Sequence, residues 1–121
     1  MIERVGVIGL GSIGMRHCRN LQELYPHVAI DVLTKRSSWD EASAKTRLIQ
    51  SAEEFYAMDH NAYFITNETN KHVETVQRCL AGNPTALFVE KPLSHNEAGL
   101  VELQAEVKKR GIVCVVGYCM Q

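Results

Sequence analysis

The chain has 121 residues, 45% of them apolar, enough for one folded domain with its own core. Thirteen Lys and Arg stand against fourteen Asp and Glu, a formal net charge of −1, so the charge balance favours neither nucleic acid nor an anionic membrane as partner. Glu3 and Arg4 precede only a very short apolar run, no stretch reaches membrane-spanning length, and Cys18, Cys79, Cys114 and Cys119 lack metal-ligand spacing, which together predict a cytoplasmic protein with reduced thiols, three of them packed.

In chain order, Arg4 to Ile8 predicts a first strand. Ser12 to about Tyr25 predicts a helix, stopped by Pro26. Between them lies Gly9-Leu10-Gly11-Ser12-Ile13-Gly14. Strand, G-x-G-x-x-G, then helix is the fingerprint of a dinucleotide-binding turn. Gly9 permits the tight turn, Gly11 leaves room for a pyrophosphate, and Gly14 lets helix and strand approach. The free N–H groups opening the helix, including those of Ser12 and Ile13, then face the phosphates.

Val28 to Leu33 predicts the second strand and Trp39 to Arg47 a helix capped by Ser38, with Asp40 and Glu41 in its first turn. Leu48 to Gln50 predicts a short third strand. Ser51-Ala52-Glu53-Glu54 is a capping-box pattern opening a brief helix that ends near Met58. Ala62 to Ile65 is the fourth predicted strand, followed by the polar loop Thr66-Asn67-Glu68-Thr69 and a helix from Asn70 to about Ala81, stopped by Gly82-Asn83-Pro84. Thr85 to Val89 is the fifth strand and ends in Glu90-Lys91-Pro92. A second capping box, Ser94 to Glu97, opens a helix with Leu100, Leu103 and Val107 on one face, closed by Gly111, and Ile112 to Val116 is the sixth strand. The alternation predicts a doubly wound α/β fold: a six-stranded, mostly parallel Rossmann sheet with helices on both faces, spanning 1–121 as one domain. Ligands of such sheets bind beyond the carboxyl ends of the strands, which singles out the loops at Gly9–Gly14, Thr34–Ser38, Thr66–Asn70, Glu90–Pro92 and Gly117–Tyr118.

The loop after the second strand bears on the cofactor. An NAD site places Asp or Glu there to accept from the ribose hydroxyls. Here the loop reads Thr34-Lys35-Arg36-Ser37-Ser38, and the one nearby acid, Asp31, lies several residues too early, inside the strand. Lys35 and Arg36 attract a 2′-phosphate, and Ser37 and Ser38 add hydroxyls in the loop that Thr34 opens, which points to NADP, with NAD as the alternative. Thr66 and Asn67 end the fourth strand, where they can meet the cofactor's ribose or pyrophosphate. His17 reads as structural, while His27, His60 and His95 read as solvated. Trp39 reads as packing for the helix it opens.

These residues resemble the Gfo/Idh/MocA oxidoreductases. The resemblance rests on the glycine turn with His17 after it, Thr66-Asn67 with His72, Gly82, Glu90-Lys91-Pro92 after the fifth strand and Gly117-Tyr118 after the sixth. It covers the whole chain, and the Glu-Lys-Pro motif is its most particular part. It implies an N-terminal cofactor domain followed by a C-terminal α/β domain that binds a sugar-like substrate, with homo-oligomers assembled through that second domain. It implies that Lys91 lies beside the nicotinamide and the reacting carbon as a catalytic residue. Glu90 then orients Lys91 or contacts a ribose hydroxyl. The family often has arginine where this chain has Gln121. The expected activity is hydride transfer to or from a sugar, nucleotide-sugar or polyol hydroxyl, without a metal, and the chain alone is expected to bind dinucleotide rather than catalyse. A dinucleotide-sensing regulator or a non-catalytic binding module of the same fold is the alternative.

Overall fold

The computed structural model describes residues 2–66, 72–82, 84–90 and 100–117. Among these described residues, six strands and four helices follow one another: β1 (Arg4–Ile8), α1 (Ser12–Leu24), β2 (Ala29–Leu33), β3 (Thr46–Ile49), α2 (Ala52–Ala57), β4 (Ala62–Ile65), α3 (His72–Leu80), β5 (Ala86–Glu90), α4 (Leu100–Lys109) and β6 (Val113–Gly117). The sheet order is β3-β2-β1-β4-β5-β6, and every neighbouring pair is parallel. The order reverses between β1 and β4, the switch point at which open α/β sheets bind their ligands.

β1 reads as a continuous apolar run because both of its faces are covered. Val5 and Val7 pack with Ile30, Val32, Ala62 and the α1 residues Cys18, Met15 and Leu21. On the opposite face Ile8 packs with Tyr63, Ile65, Leu87, Val89, Phe55 of α2, the α3 residues Val76, Cys79 and Leu80, and Val107 of α4. Of the described helices, one therefore covers one face and three cover the other. Asn61 locks the amino ends together: its side-chain Oδ1 accepts from the N–H groups of Glu3 and Arg4, and its carbonyl accepts from Thr85.

A predicted helix is missing. Residues 38–45 form turns, and β3 begins at Thr46 rather than Leu48. The segment's polar groups are satisfied by α1 instead of by a helix of their own. Gln22 Oε1 accepts from Ser43 N at 2.8 Å and from Thr46 Oγ1 at 2.7 Å, while Arg19 makes a two-pronged contact with Glu41. Trp39 accordingly packs against the α1 side of the core, with no helix of its own to bury.

His60, expected in solvent, is buried. Its Nε2 lies 3.0 Å from Asp31 Oδ2, its Nδ1 3.3 Å from the Tyr63 hydroxyl, and its ring stacks on Phe55 at 4.8 Å. Asp31 is only 1% exposed and also receives Arg4 at 2.8 Å and Arg47 at 3.1 Å. A charge placed mid-strand in a two-faced sheet requires such partners. Burial pushes this carboxyl up, but hydrogen bonds from His60 and Arg4 and the charges of Arg47 and Arg4 outweigh it. The net result lowers its pKa from 3.8 to about 2.

Cys18 and Cys79 are buried as expected, and burial pushes the Cys18 thiol up to about 12 and raises Cys79 as well. Cys114, expected to pack, is exposed, because it lies on the edge strand β6. Cys119 lies outside the described residues. Among those described, no helix is long and apolar enough to cross a membrane.

Candidate functional site

At the carboxyl end of β1 the chain turns sharply. Gly9 takes φ +97°, a conformation open to glycine, and its N–H is held by the Leu33 carbonyl at 2.9 Å. Gly11 then caps α1 without a side-chain hydrogen bond, and no acid occupies the first turn. The opening N–H groups, at Ser12, Ile13 and Gly14, and the positive end of the helix dipole are left for an external anion. Gly14 is buried, and a Cβ there would sit 2.1 Å from the Gly9 carbonyl oxygen, so the turn and α1 touch backbone to backbone.

Thr66 closes the turn from the β4 side. Its N–H donates to Ile8 O, and its hydroxyl lies 2.9 Å from Ile8 O and 3.1 Å from Gly9 O. From the β2 side, the Thr34 N–H donates to Ile49 O, and Thr34 Oγ1 accepts from the Arg36 N–H at 3.2 Å. Gln50 Nε2 donates to the Arg36 carbonyl at 3.1 Å. The basic loop is thus tied at both the N–H and the carbonyl of Arg36.

These elements surround a cavity of about 780 Å³. Gly9, Gly11, Thr34, Lys35 and Thr66 line it, as do Gln50, Tyr56, Glu74 and Arg78, which the motifs did not mark. Ser12, Ile13, Gly14, Arg36 and Ser37 are not among its lining residues. Asn67 and Lys91 lie outside the described residues, as do Pro92 and Tyr118. Glu90 ends β5 beside Gly117 of β6, at the same carboxyl edge of the sheet. His17 is a packing residue, with its ring 5.2 Å from Phe64 and 4.9 Å from Phe88. Asp31 is consumed by its internal ion pairs, so it is not available to a ligand at the end of β2.

What this arrangement can do follows from its parts. A helix N-terminus without a cap or an acid favours phosphate. Gly11 keeps the approach open: a Cβ there would meet nothing within 4 Å. Lys35 adds a positive charge one step along the same cavity. A molecule with a central pyrophosphate and a ribose on the β2 side fits that order of groups.

Comparison with known proteins agrees with this geometry. The profile of a family described as "Oxidoreductase family, NAD-binding Rossmann fold" (Gfo/Idh/MocA) matches residues 3–118. The chain is 29% identical to myo-inositol 2-dehydrogenase of Thermotoga maritima, over 95% of this chain and 36% of that protein. It is 27% identical to scyllo-inositol 2-dehydrogenase (NAD(+)) of Bacillus subtilis, over 95% of this chain and 35% of that protein. In fold it superposes on apo scyllo-inositol dehydrogenase from Lactobacillus casei with a TM-score of 0.79 at 17% identity, covering 96% of this chain and 36% of that one. The chain spans about a third of the length of these relatives. With its glycine turn at the sheet's switch point and this match over nearly its whole length, the chain belongs to the Gfo/Idh/MocA oxidoreductase family and carries its NAD-binding Rossmann fold.

Proposed function

We propose that this chain is the cofactor-binding domain of an oxidoreductase that moves hydride between a nicotinamide dinucleotide and a hydroxyl-bearing carbon of a sugar, nucleotide-sugar or polyol. The observation that carries this reading is the open Gly11 edge of α1, facing a cavity that Lys35 also lines. The inositols in the names of the two curated relatives are polyols, which supports the substrate class. Gly9, Gly11, Ser12, Ile13 and Gly14 hold the pyrophosphate, Gly14 through its N–H and through packing. Thr34, Lys35, Arg36 and Ser37 hold the ribose end, and Thr66 and Asn67 the β4 side. When bound, the nicotinamide supplies the hydride acceptor or donor. Lys91 hydrogen-bonds the substrate oxygen and stabilises charge there, giving it a proton when the carbon gains hydride. When the carbon loses hydride, the hydroxyl proton passes to the neutral lysine or a neighbouring base. Glu90 stands beside Lys91 to orient it or meet a ribose hydroxyl. A second domain supplies the substrate site.

Lys35 and Arg36, with Asp31 held in its ion pairs, favour the 2′-phosphate of NADP. One relative carries NAD(+) in its name, so both cofactors enter the test. NADP and NAD are titrated calorimetrically against the chain and against Lys35→Ala/Arg36→Ala. The expected result is binding of both, tighter for NADP, with that preference lost in the double variant. Equal or tighter NAD binding overturns the 2′-phosphate assignment. Binding of neither by the folded chain overturns the cofactor-domain reading.

A further inference from the structure

The cavity also has a wall that the motifs did not foresee, where α2 and α3 face each other. Tyr56 of α2 and Arg78 of α3 both line it. The Arg78 guanidinium carbon lies 4.3 Å from the centre of the Tyr56 ring. The Tyr56 ring in turn stands edge-on to Phe55 at 5.1 Å and 89°, and Phe55 is completely buried. A fully buried ring thus braces a half-buried one, which holds a guanidinium at the cavity wall. Arg36, the other arginine near this end, is not among the lining residues.

We propose that Arg78, held on Tyr56, is the stacking platform for the adenine of the bound dinucleotide. The inference rests on the dinucleotide reading above and deepens it. Pyrophosphate at Gly11 and ribose at Thr34 and Lys35 leave the base for the remaining wall, between α2 and α3. A guanidinium is planar and delocalised, so it can lie on an aromatic ring with one face and on a purine with the other. Tyr56 fixes its orientation before the base arrives, which reduces the ordering that binding requires. Glu74, one turn earlier on α3 and lining the same cavity, is an acceptor for the exocyclic amine of adenine.

The test measures the affinity of AMP, NAD and NADP for the wild-type chain and for Arg78→Ala, Arg78→Lys, Tyr56→Phe and Tyr56→Ala, with melting curves to establish that each variant is folded. Arg78→Ala is expected to weaken all three ligands about tenfold and to a similar degree, since each carries the same base. Arg78→Lys keeps the charge but not the plane and is expected to be no better than Arg78→Ala. Tyr56→Phe is expected to bind as the wild type does, and Tyr56→Ala to lose part of the affinity. Unchanged binding in Arg78→Ala overturns the proposal, and so does full rescue by Arg78→Lys, which would make the role one of charge alone. A loss confined to NADP overturns it too, because Arg78 would then be reading the 2′-phosphate. A wild-type chain that binds no adenine nucleotide removes this proposal and the cofactor-domain reading together, whereas the other outcomes leave that reading intact.

Discussion

A Cβ placed on Gly14 would lie 2.1 Å from the carbonyl oxygen of Gly9, whereas one placed on Gly11 would meet nothing within 4 Å. Two glycines of one motif therefore answer to different constraints. Gly14→Ala must displace backbone and is expected to lose about 2–3 kcal/mol of stability along with dinucleotide binding. Gly11→Ala is expected to cost under about 1 kcal/mol, mostly for its cap position, yet to lose binding as fully. Urea unfolding beside calorimetric titration separates the two.

The Asp31 cluster predicts an acid-dependent difference. Its folded-state pKa of about 2 lies below the ordinary value, so its ionised form stabilises the fold above pH 4, and that contribution is lost as pH falls from about 4 to about 2. The shift corresponds to about 2 kcal/mol. Asp31→Asn is expected to be less stable than wild type at pH 7, with the gap narrowing by about that amount by pH 2. Denaturant midpoints measured at intervals across that range check it.

Gln50 is exposed, and its side-chain amide holds the Arg36 carbonyl at 3.1 Å. Gln50→Ala removes the tie without opening the core. Stability is expected to stay within about 0.5 kcal/mol of wild type, while NADP affinity falls about fivefold and NAD affinity less. Titrations of the single variant with both cofactors read this directly.

Thiol accessibility offers a check on the core. Cys18 and Cys79 are fully buried, with thiol pKa values raised by that burial, whereas Cys114 is exposed. A chromogenic disulfide reagent at pH 8 is expected to label Cys114 in the native chain. Cys18 and Cys79 should react only as denaturant unfolds it. Mapping the labelled peptides by mass spectrometry gives the answer.

Much of the fold was legible because its signals are local. β1 and β4 have the expected bounds, and Ser51 caps α2 by accepting from the Glu54 N–H. The misses are all tertiary. Trp39 to Arg47 has helical composition, but Gln22 and Arg19, some twenty residues upstream, offer its polar groups better partners. His60 sits between Asp59 and Asn61 and reads as solvated, and its burial rests on Asp31, 29 residues away, together with the Phe55 ring and the Tyr63 hydroxyl. A charge inside the apolar run Ala29–Leu33 was a signal that buried partners had to exist. At the site, the glycine turn and Lys35 were readable from motif spacing. Tyr56 and Arg78 were not, because they meet only when two helices pack side by side.

The parallel pairing of β1 with β4 also sets an order of events. The Thr66 hydroxyl that seals the glycine turn lies 58 residues from Ile8, and no hairpin anywhere in the sheet brings neighbours together early. On a ribosome adding 5–20 residues per second, roughly 3–12 s pass between the synthesis of β1 and that of its second neighbour. During that interval one edge of Val5–Ile8, buried along its whole length in the finished domain, has no partner. The feature that places the glycine turn at the middle of the sheet therefore also delays its completion until β4 has been made, and contacts this distant in sequence are the ones that slow folding.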